Sequence, residues 1–296
     1  MSCKATSLSF ALIAAIGLAG CNGTDQKTDD RSDRQPATAA ENGKPALQPA
    51  RDQPPAEQPS NVTLLRVPNG GIQPQAVVDA KGTLHLIYFK GEAGGGDLFY
   101  VRRQPGQERF SAPIRVNSQL DSAIATGTIR GGQIALGKAG RVHIAWNGSG
   151  KDKRAEGMLY ARLNDSGTAF EEQRNLMRDT EILDGGGSVA ADASGNVYVV
   201  WHALKKGSER GEEHRQVWVA RSADEGKSFA KEAPAWTEAT GACGCCGLRA
   251  FADSNGSVYV LYRSAKAEVN RDVYLLASKK GTSFEGALVH KWKVPG

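Results

Sequence analysis

Residues 222–229 (Ser-Ala-Asp-Glu-Gly-Lys-Ser-Phe) carry a polar turn signal with an acid, a glycine and a closing aromatic, set between alternating apolar residues. Residues 163–170 repeat its Asp, Gly and Phe at the same offsets, and weaker copies occupy residues 103–110 and 278–284. The closing aromatics Phe110, Phe170, Phe229 and Phe284 stand 60, 59 and 55 residues apart. A fixed period of this length means one structural unit repeated, each copy burying its apolar face against the next.

A second repeated feature lies inside each unit. Gly82, Gly140, Gly195 and Gly256 each follow an Asp or Gly by three residues (Asp79, Gly137, Asp192, Asp253), a spacing that predicts hairpin turns. Alternating segments ending in an aromatic follow at 83–88, 141–146, 196–201 and 257–262, and shorter segments of smaller residues precede at 75–78, 133–136, 188–191 and 249–252. A charged loop then leads to a third strand at 98–102, 158–162, 217–221 and 273–277, and a fourth follows the polar turn, as at 113–116. Four antiparallel strands per unit predict an all-β propeller of four-stranded blades, with a β-sandwich as the alternative. No segment has helical periodicity, so a helical solenoid is excluded.

The pattern Ser-x-Asp-x-Gly-x-x-Phe at Ser222, Asp224, Gly226 and Phe229, with Asp165, Gly167 and Phe170 in the preceding unit, resembles the Asp box, or BNR repeat, of the sialidase superfamily. The resemblance extends over about residues 62–296. It implies a structural turn between third and fourth strands, whose carboxylate accepts local N–H bonds and whose aromatic packs between blades. It also implies six or more blades. Residues 62–67 read as a fourth strand placed before the first complete unit, yet the last unit has its own outer strand at 287–293. The expectation is therefore four blades of a truncated six-bladed ring, against a compact four-bladed ring with a spare edge strand.

Ahead of the repeats, Lys4 precedes a short apolar run at residues 8–18, too short to span a bilayer. Leu18-Ala19-Gly20-Cys21 resembles a bacterial lipobox, which implies lipidation of Cys21 and, with Asn22 behind it, placement at the outer membrane. Residues 21–60 are rich in Pro, Ala, Gln, Asp and Lys and have too few large apolar residues to offset the entropy of ordering. They read as a tether holding residues 61–296 on the order of 35 Å from the lipid, with residues 1–20 as the signal peptide. The formal charge of +5 is spread among interleaved lysines and glutamates, which argues against nucleic acid as a partner. The membrane is contacted through the anchor alone.

Alternating strand direction brings the starts of the first strands and the ends of the second strands to one rim. Arg130, Gln133, Asn147, His202, Arg249 and Arg263 are the candidate ligand-binding residues there, around a channel mouth that would take a glycan or a protein. Glu209, Glu212, Glu213 and His214 form a charged run that reads as a solvated loop. The family resemblance implies, as an enzymatic alternative, an exo-acting sialidase with an arginine cluster clamping a carboxylate, an acid, and a tyrosine paired with a glutamate. No such tyrosine–glutamate pair can be assigned from spacing, and a non-enzymatic assembly or scaffold factor is the third reading.

Cys243-Gly244-Cys245-Cys246 is the remaining singular string. Three readings stand: a disulfide within the string, a thiolate metal site completed by a fourth ligand such as His202, or a cysteine paired with a segment outside this chain. Disulfide use of Cys243, Cys245 and Cys246 is favoured in an oxidising compartment. No motif for a cofactor or metal is assigned.

Overall fold

The computed structural model describes residues 64–127, 130–266 and 270–293. Cys21, the leader, the tether and residues 62–63 lie outside the described residues. Four antiparallel sheets follow one another along the chain. The first contains β1 (Ile72–Val78), β2 (Leu84–Glu92), β3 (Gly95–Arg103) and β4 (Ile114–Arg115). The second contains β5 (Gln133–Leu136), β6 (Val142–Asn147), β7 (Met158–Arg162) and β8 (Arg174–Asn175). A short strand β9 (Thr180–Glu181) pairs with the far end of β11 in the third sheet, whose own members are β10 (Ser188–Ala191), β11 (Val197–Lys205), β12 (Gln216–Ser222) and β13 (Ala233–Pro234). The fourth sheet contains β14 (Arg249–Ala252), β15 (Val258–Arg263), β16 (Val273–Ser278) and β17 (Glu285–His290).

Each sheet meanders from inner to outer strand, and the inner strands stand side by side in chain order, β1 by β5, β5 by β10 and β10 by β14. Their carboxyl ends, at Val78, Leu136, Ala191 and Ala252, line one cavity on a common axis. This is the arrangement of propeller blades. No comparable packing joins β14 back to β1 among the described residues. Phe251 and Leu261, in the fourth blade, stand exposed. Leu64 to Val67 belong to no strand, which corrects the expectation of an extra fourth strand there.

Three cores fill the spaces between successive blades. Ile87, Leu98 and Tyr100 of the first blade meet Ile144, Trp146 and Leu159 of the second. Tyr160 and Met158 meet Val199 and Trp201 of the third, and Tyr198 and Val200 meet Val258 and Val260 of the fourth. The closing aromatics reach back across these seams. Phe170 lies edge-on to Tyr100 with centroids 5.8 Å apart, and Phe229 edge-on to Tyr160 at 4.7 Å, a geometry favoured by the ring quadrupoles.

The glycine turns form as their spacing predicts. Asp79, Asp192 and Asp253 each accept two backbone N–H bonds through Oδ1, for example from Ser194 and Asn196 at 2.9 Å, and Gly82, Gly195 and Gly256 have positive φ. The box at 222–229 also forms, with Ser228 N–H donating to Asp224 Oδ1 at 2.9 Å and Ser222 Oγ donating to the same oxygen at 2.7 Å. At 163–170 the expectation fails for Asp165. There Asn164 Oδ1 accepts from Thr168 N at 3.0 Å, while Asp165 turns outward to Arg141 at 2.5 Å. The turn residues with positive φ are Glu225 and Gly226 in one box and Gly167 alone in the other, so the two turns differ in register although their letters match.

Candidate functional site at the channel mouth

The amino ends of the inner strands bring the predicted rim residues to one end of the axis, but at different depths. Asn147 and His202 are buried, and neither faces solvent. Their burial follows from strand length. β11 continues past Trp201 to Lys205 because Leu204 and Lys205 pair with β9, so His202 sits within the ladder instead of after it. Asn147 Nδ2 donates to Gly185 O at 2.6 Å, and His202 Nε2 bonds Cys246 O at 3.1 Å. A carbonyl can only accept, so Nε2 carries the ring proton; burial holds this imidazole below its ordinary range. Gln133 is also buried, and it accepts from Arg249 Nη1 at 2.5 Å, joining the second and fourth blades across the axis. These three side chains hold loops and strands in place. Arg130, Arg249 and Arg263 reach the surface.

Around them lies an ion network that corrects the reading of Glu212 as part of a solvated run, because its carboxylate is half-buried among arginines. Arg130 pairs with Asp184, whose other oxygen lies 3.3 Å from Arg215 Nη2. Arg215 Nη1 lies 3.6 Å from Glu212 Oε1, which also accepts the Gly244 N–H at 2.7 Å. Glu212 Oε2 accepts from Arg271 Nη2 at 2.9 Å. Arg263 Nε donates to Arg271 O at 3.3 Å, and its guanidinium lies 4.7 Å from the centroid of the half-exposed Trp292 indole. Three guanidiniums, of Arg130, Arg215 and Arg271, therefore share the carboxylates of Asp184 and Glu212, while Arg249 bonds the neutral Gln133 and Arg263 bonds Arg271 O and Cys246 Sγ.

Asp184 sits on the segment leading into the third blade and Glu212 on the β11–β12 loop within it, where strand periodicity carries no signal; Gly185 behind Asp184 was the available hint. A Cβ on Gly185 would lie 2.4 Å from the His202 ring, and one on Gly244 would lie 2.3 Å from Arg215 Nη1. Both loops need glycine there to approach so closely. Glu209 and Glu213 instead flank His214 at 3.3 and 3.6 Å on the surface, as a solvated run does.

The chemistry of this mouth is that of fixed charge. Burial works to raise the Asp184 carboxyl, but bonds from Arg130 and Gly185 N–H and the nearby Arg215 charge outweigh it and hold the group below the usual carboxylate range. Wherever a carboxylate is displaced it is displaced downward, at Asp79, Asp165, Glu171, Asp179, Asp184 and Asp224. Among the described residues none of the seven tyrosines hydrogen-bonds a glutamate; the bonded hydroxyls meet Asn69, His85, His143, Thr240 and Asp253.

Cys243, Cys245 and Cys246 border the same network, and all three are free thiols. The structure joins no two of them by an S–S bond. Their sulfurs converge instead, within 4.8 Å of one another.

No family model matches the chain, and no curated protein matches it in sequence. Solved structures resemble it in backbone course. A protein of unknown function from Dyadobacter fermentans aligns with 74% of this chain and 68% of its own, at 14% identity and a TM-score of 0.48. An α-L-arabinofuranosidase from Fusarium graminearum aligns with 73% of this chain and 65% of its own, at 12% identity and a TM-score of 0.48. A variant of the NanB sialidase from Streptococcus pneumoniae aligns with 74% of this chain but 30% of its own, at 13% identity and a TM-score of 0.44. The chain thus spans about a third to two thirds of these proteins.

Proposed function

We propose that the protein is a lipid-anchored binding propeller of the cell envelope, whose arginine-lined mouth holds a carboxylate-bearing glycan. The observation that carries this reading is Arg249: it is exposed at the mouth, and the partner of its guanidinium is the neutral Gln133 Oε1. A guanidinium with unused donors beside further arginines suits bidentate recognition of a carboxylate. The exposed Trp292 indole, backed by Arg263, offers an apolar face for the C–H side of a sugar ring. Lipidation at Cys21 rests on the lipobox resemblance, and would tether the propeller to the membrane.

Binding of the full chain to sialylated, hexuronate-containing and neutral oligosaccharides tests the reading by calorimetry. Acidic ligands are expected to bind and neutral ones to fail, with Arg249→Ala weakening binding about 10-fold or more, the worth of one charge-assisted hydrogen bond. Equal affinity for neutral glycans, or an unaffected Arg249→Ala variant, would overturn it. Turnover of any ligand would replace binding by hydrolysis. Incorporation of labelled palmitate, lost in Cys21→Ser, tests the anchor.

A further inference from the structure

Cys243 to Cys246 form a tight turn, closed by Cys246 N–H donating to Cys243 O at 3.3 Å. It is pinned from three sides: Cys243 N–H donates to Arg263 O of β15 at 3.0 Å, Gly244 N–H to Glu212 at 2.7 Å, and His202 Nε2 of β11 to Cys246 O at 3.1 Å. The three sulfurs consequently point together, with Cys243 and Cys245 Sγ 3.4 Å apart and all three within 4.8 Å. Cys243 is buried while Cys245 is exposed, so the cluster is open to solvent on one side.

Metal–thiolate bonds of about 2.3 Å place three sulfurs of a trigonal site about 4 Å apart, a small adjustment from this geometry. The ligand group also closes at three. Among the described residues no histidine nitrogen or carboxylate oxygen joins these sulfurs within the same distance. Structural zinc takes four protein ligands, whereas soft thiolates without a fourth partner suit Cu(I). Arg263 Nη1 lies 3.4 Å from Cys246 Sγ, on the side where a cation's negative thiolate complex would need positive charge.

We infer that the turn Cys243–Cys246 is a three-thiolate binding site for Cu(I). On binding, three S–H bonds break, three S–Cu bonds form and three protons pass to solvent. Copper stays Cu(I) and no electron moves. The complex carries a net charge of 2−, which Arg263 and the neighbouring Arg215 offset. Glu212, His202 and Arg263 O act as positioning groups that hold the turn before the ion arrives.

The test uses the full chain with Cys3→Ser and Cys21→Ser, which leaves the turn thiols as the sole cysteines of the five. The protein is reduced, kept anaerobic and titrated with Cu(I) against a chromophoric chelator. One Cu(I) per chain is expected, with thiolate-to-copper absorption in the ultraviolet and three sulfur neighbours by X-ray absorption. Cys245→Ser and Cys246→Ser should each weaken retention more than about 100-fold, and circular dichroism of Cys245→Ser, an exposed position, reports that the fold persists. Copper lost entirely to the chelator, copper retained equally in the folded Cys245→Ser variant, or Zn(II) holding the site against Cu(I) would each overturn the inference. So would a disulfide in the turn that leaves no copper binding after reduction.

Discussion

Asp224 and Asp165 occupy matched letters in two copies of one turn and do different things. Asp224 accepts from Ser222 Oγ, Ser228 N–H and Ser228 Oγ, the last at 2.6 Å. Desolvation works to raise its carboxyl, but the bonds from Ser228 and Ser222 bring it down to about 2. A depressed folded value gives stability that is present above the unfolded value of ~3.9 and lost as pH falls toward the folded one. Because the carboxylate is largely solvated, Asp224→Ala is expected to cost about 1–2 kcal/mol at neutral pH, less than a buried charged bond would. Urea melts at pH 7 and pH 2.5 check this: the wild-type advantage should shrink at the lower pH. Gly226 beside it has a φ of 77°, and a Cβ there would lie 1.8 Å from Tyr160 Oη, so Gly226→Ala should destabilise further, by more than about 2 kcal/mol. The box at Asp224 was legible because its spacing encodes its hydrogen bonds. Asp165 was misread because matching letters does not reveal which residue enters the left-handed region.

Among the elements, β6 and β7 share a buried pair, His143 Nδ1 and Tyr160 Oη at 2.7 Å, repeated in the first blade by His85 and Tyr100. Burial, with Arg141 and Arg162 adding to it, pushes the His143 imidazole down to about 3. The sign follows. An unfolded histidine gains a proton below ~6.5 that the folded one refuses, so stability falls as pH drops from ~6.5 toward 3, by at most about 1.4 kcal/mol per pH unit. His202 is displaced in the same direction by burial. His143→Gln should therefore flatten the stability–pH curve just below ~6.5, before the carboxylates titrate, while leaving its slope above pH 7 unchanged; an unaltered slope there would show that His143 is not held neutral. Strand existence was readable from period-two alternation, but strand length was not. Partners far along the chain set it, as β9 does when it extends β11 over His202.

For the whole molecule, the blades bury their faces unequally. Trp201 is fully buried between the second and third blades, whereas Phe251 of the fourth blade is 63% exposed. Trp201→Ala is expected to cost about 3–5 kcal/mol, and Phe251→Ser to stay within about 0.5 kcal/mol, a contrast that thermal melts measure directly. Equal losses would mean that the fourth blade is packed on both faces. Salt should act at this scale too. The five arginines of the mouth sum over three blades and the loops between them, so the affinity for an acidic glycan should fall as ionic strength rises and the Debye length shortens to about 8 Å at 0.15 M. The repeat of turns and alternating segments was enough by itself to determine the propeller blades, their order and most strand positions, because local hydrogen bonding and a two-residue period are properties of consecutive residues. The charge network of the mouth was decided by tertiary structure. Glu212 and Arg215 share one loop three residues apart, but Asp184, Arg271 and Trp292 come from other segments, and only the packing of blades brings these charges and the Cys243–Cys246 turn within reach of one another.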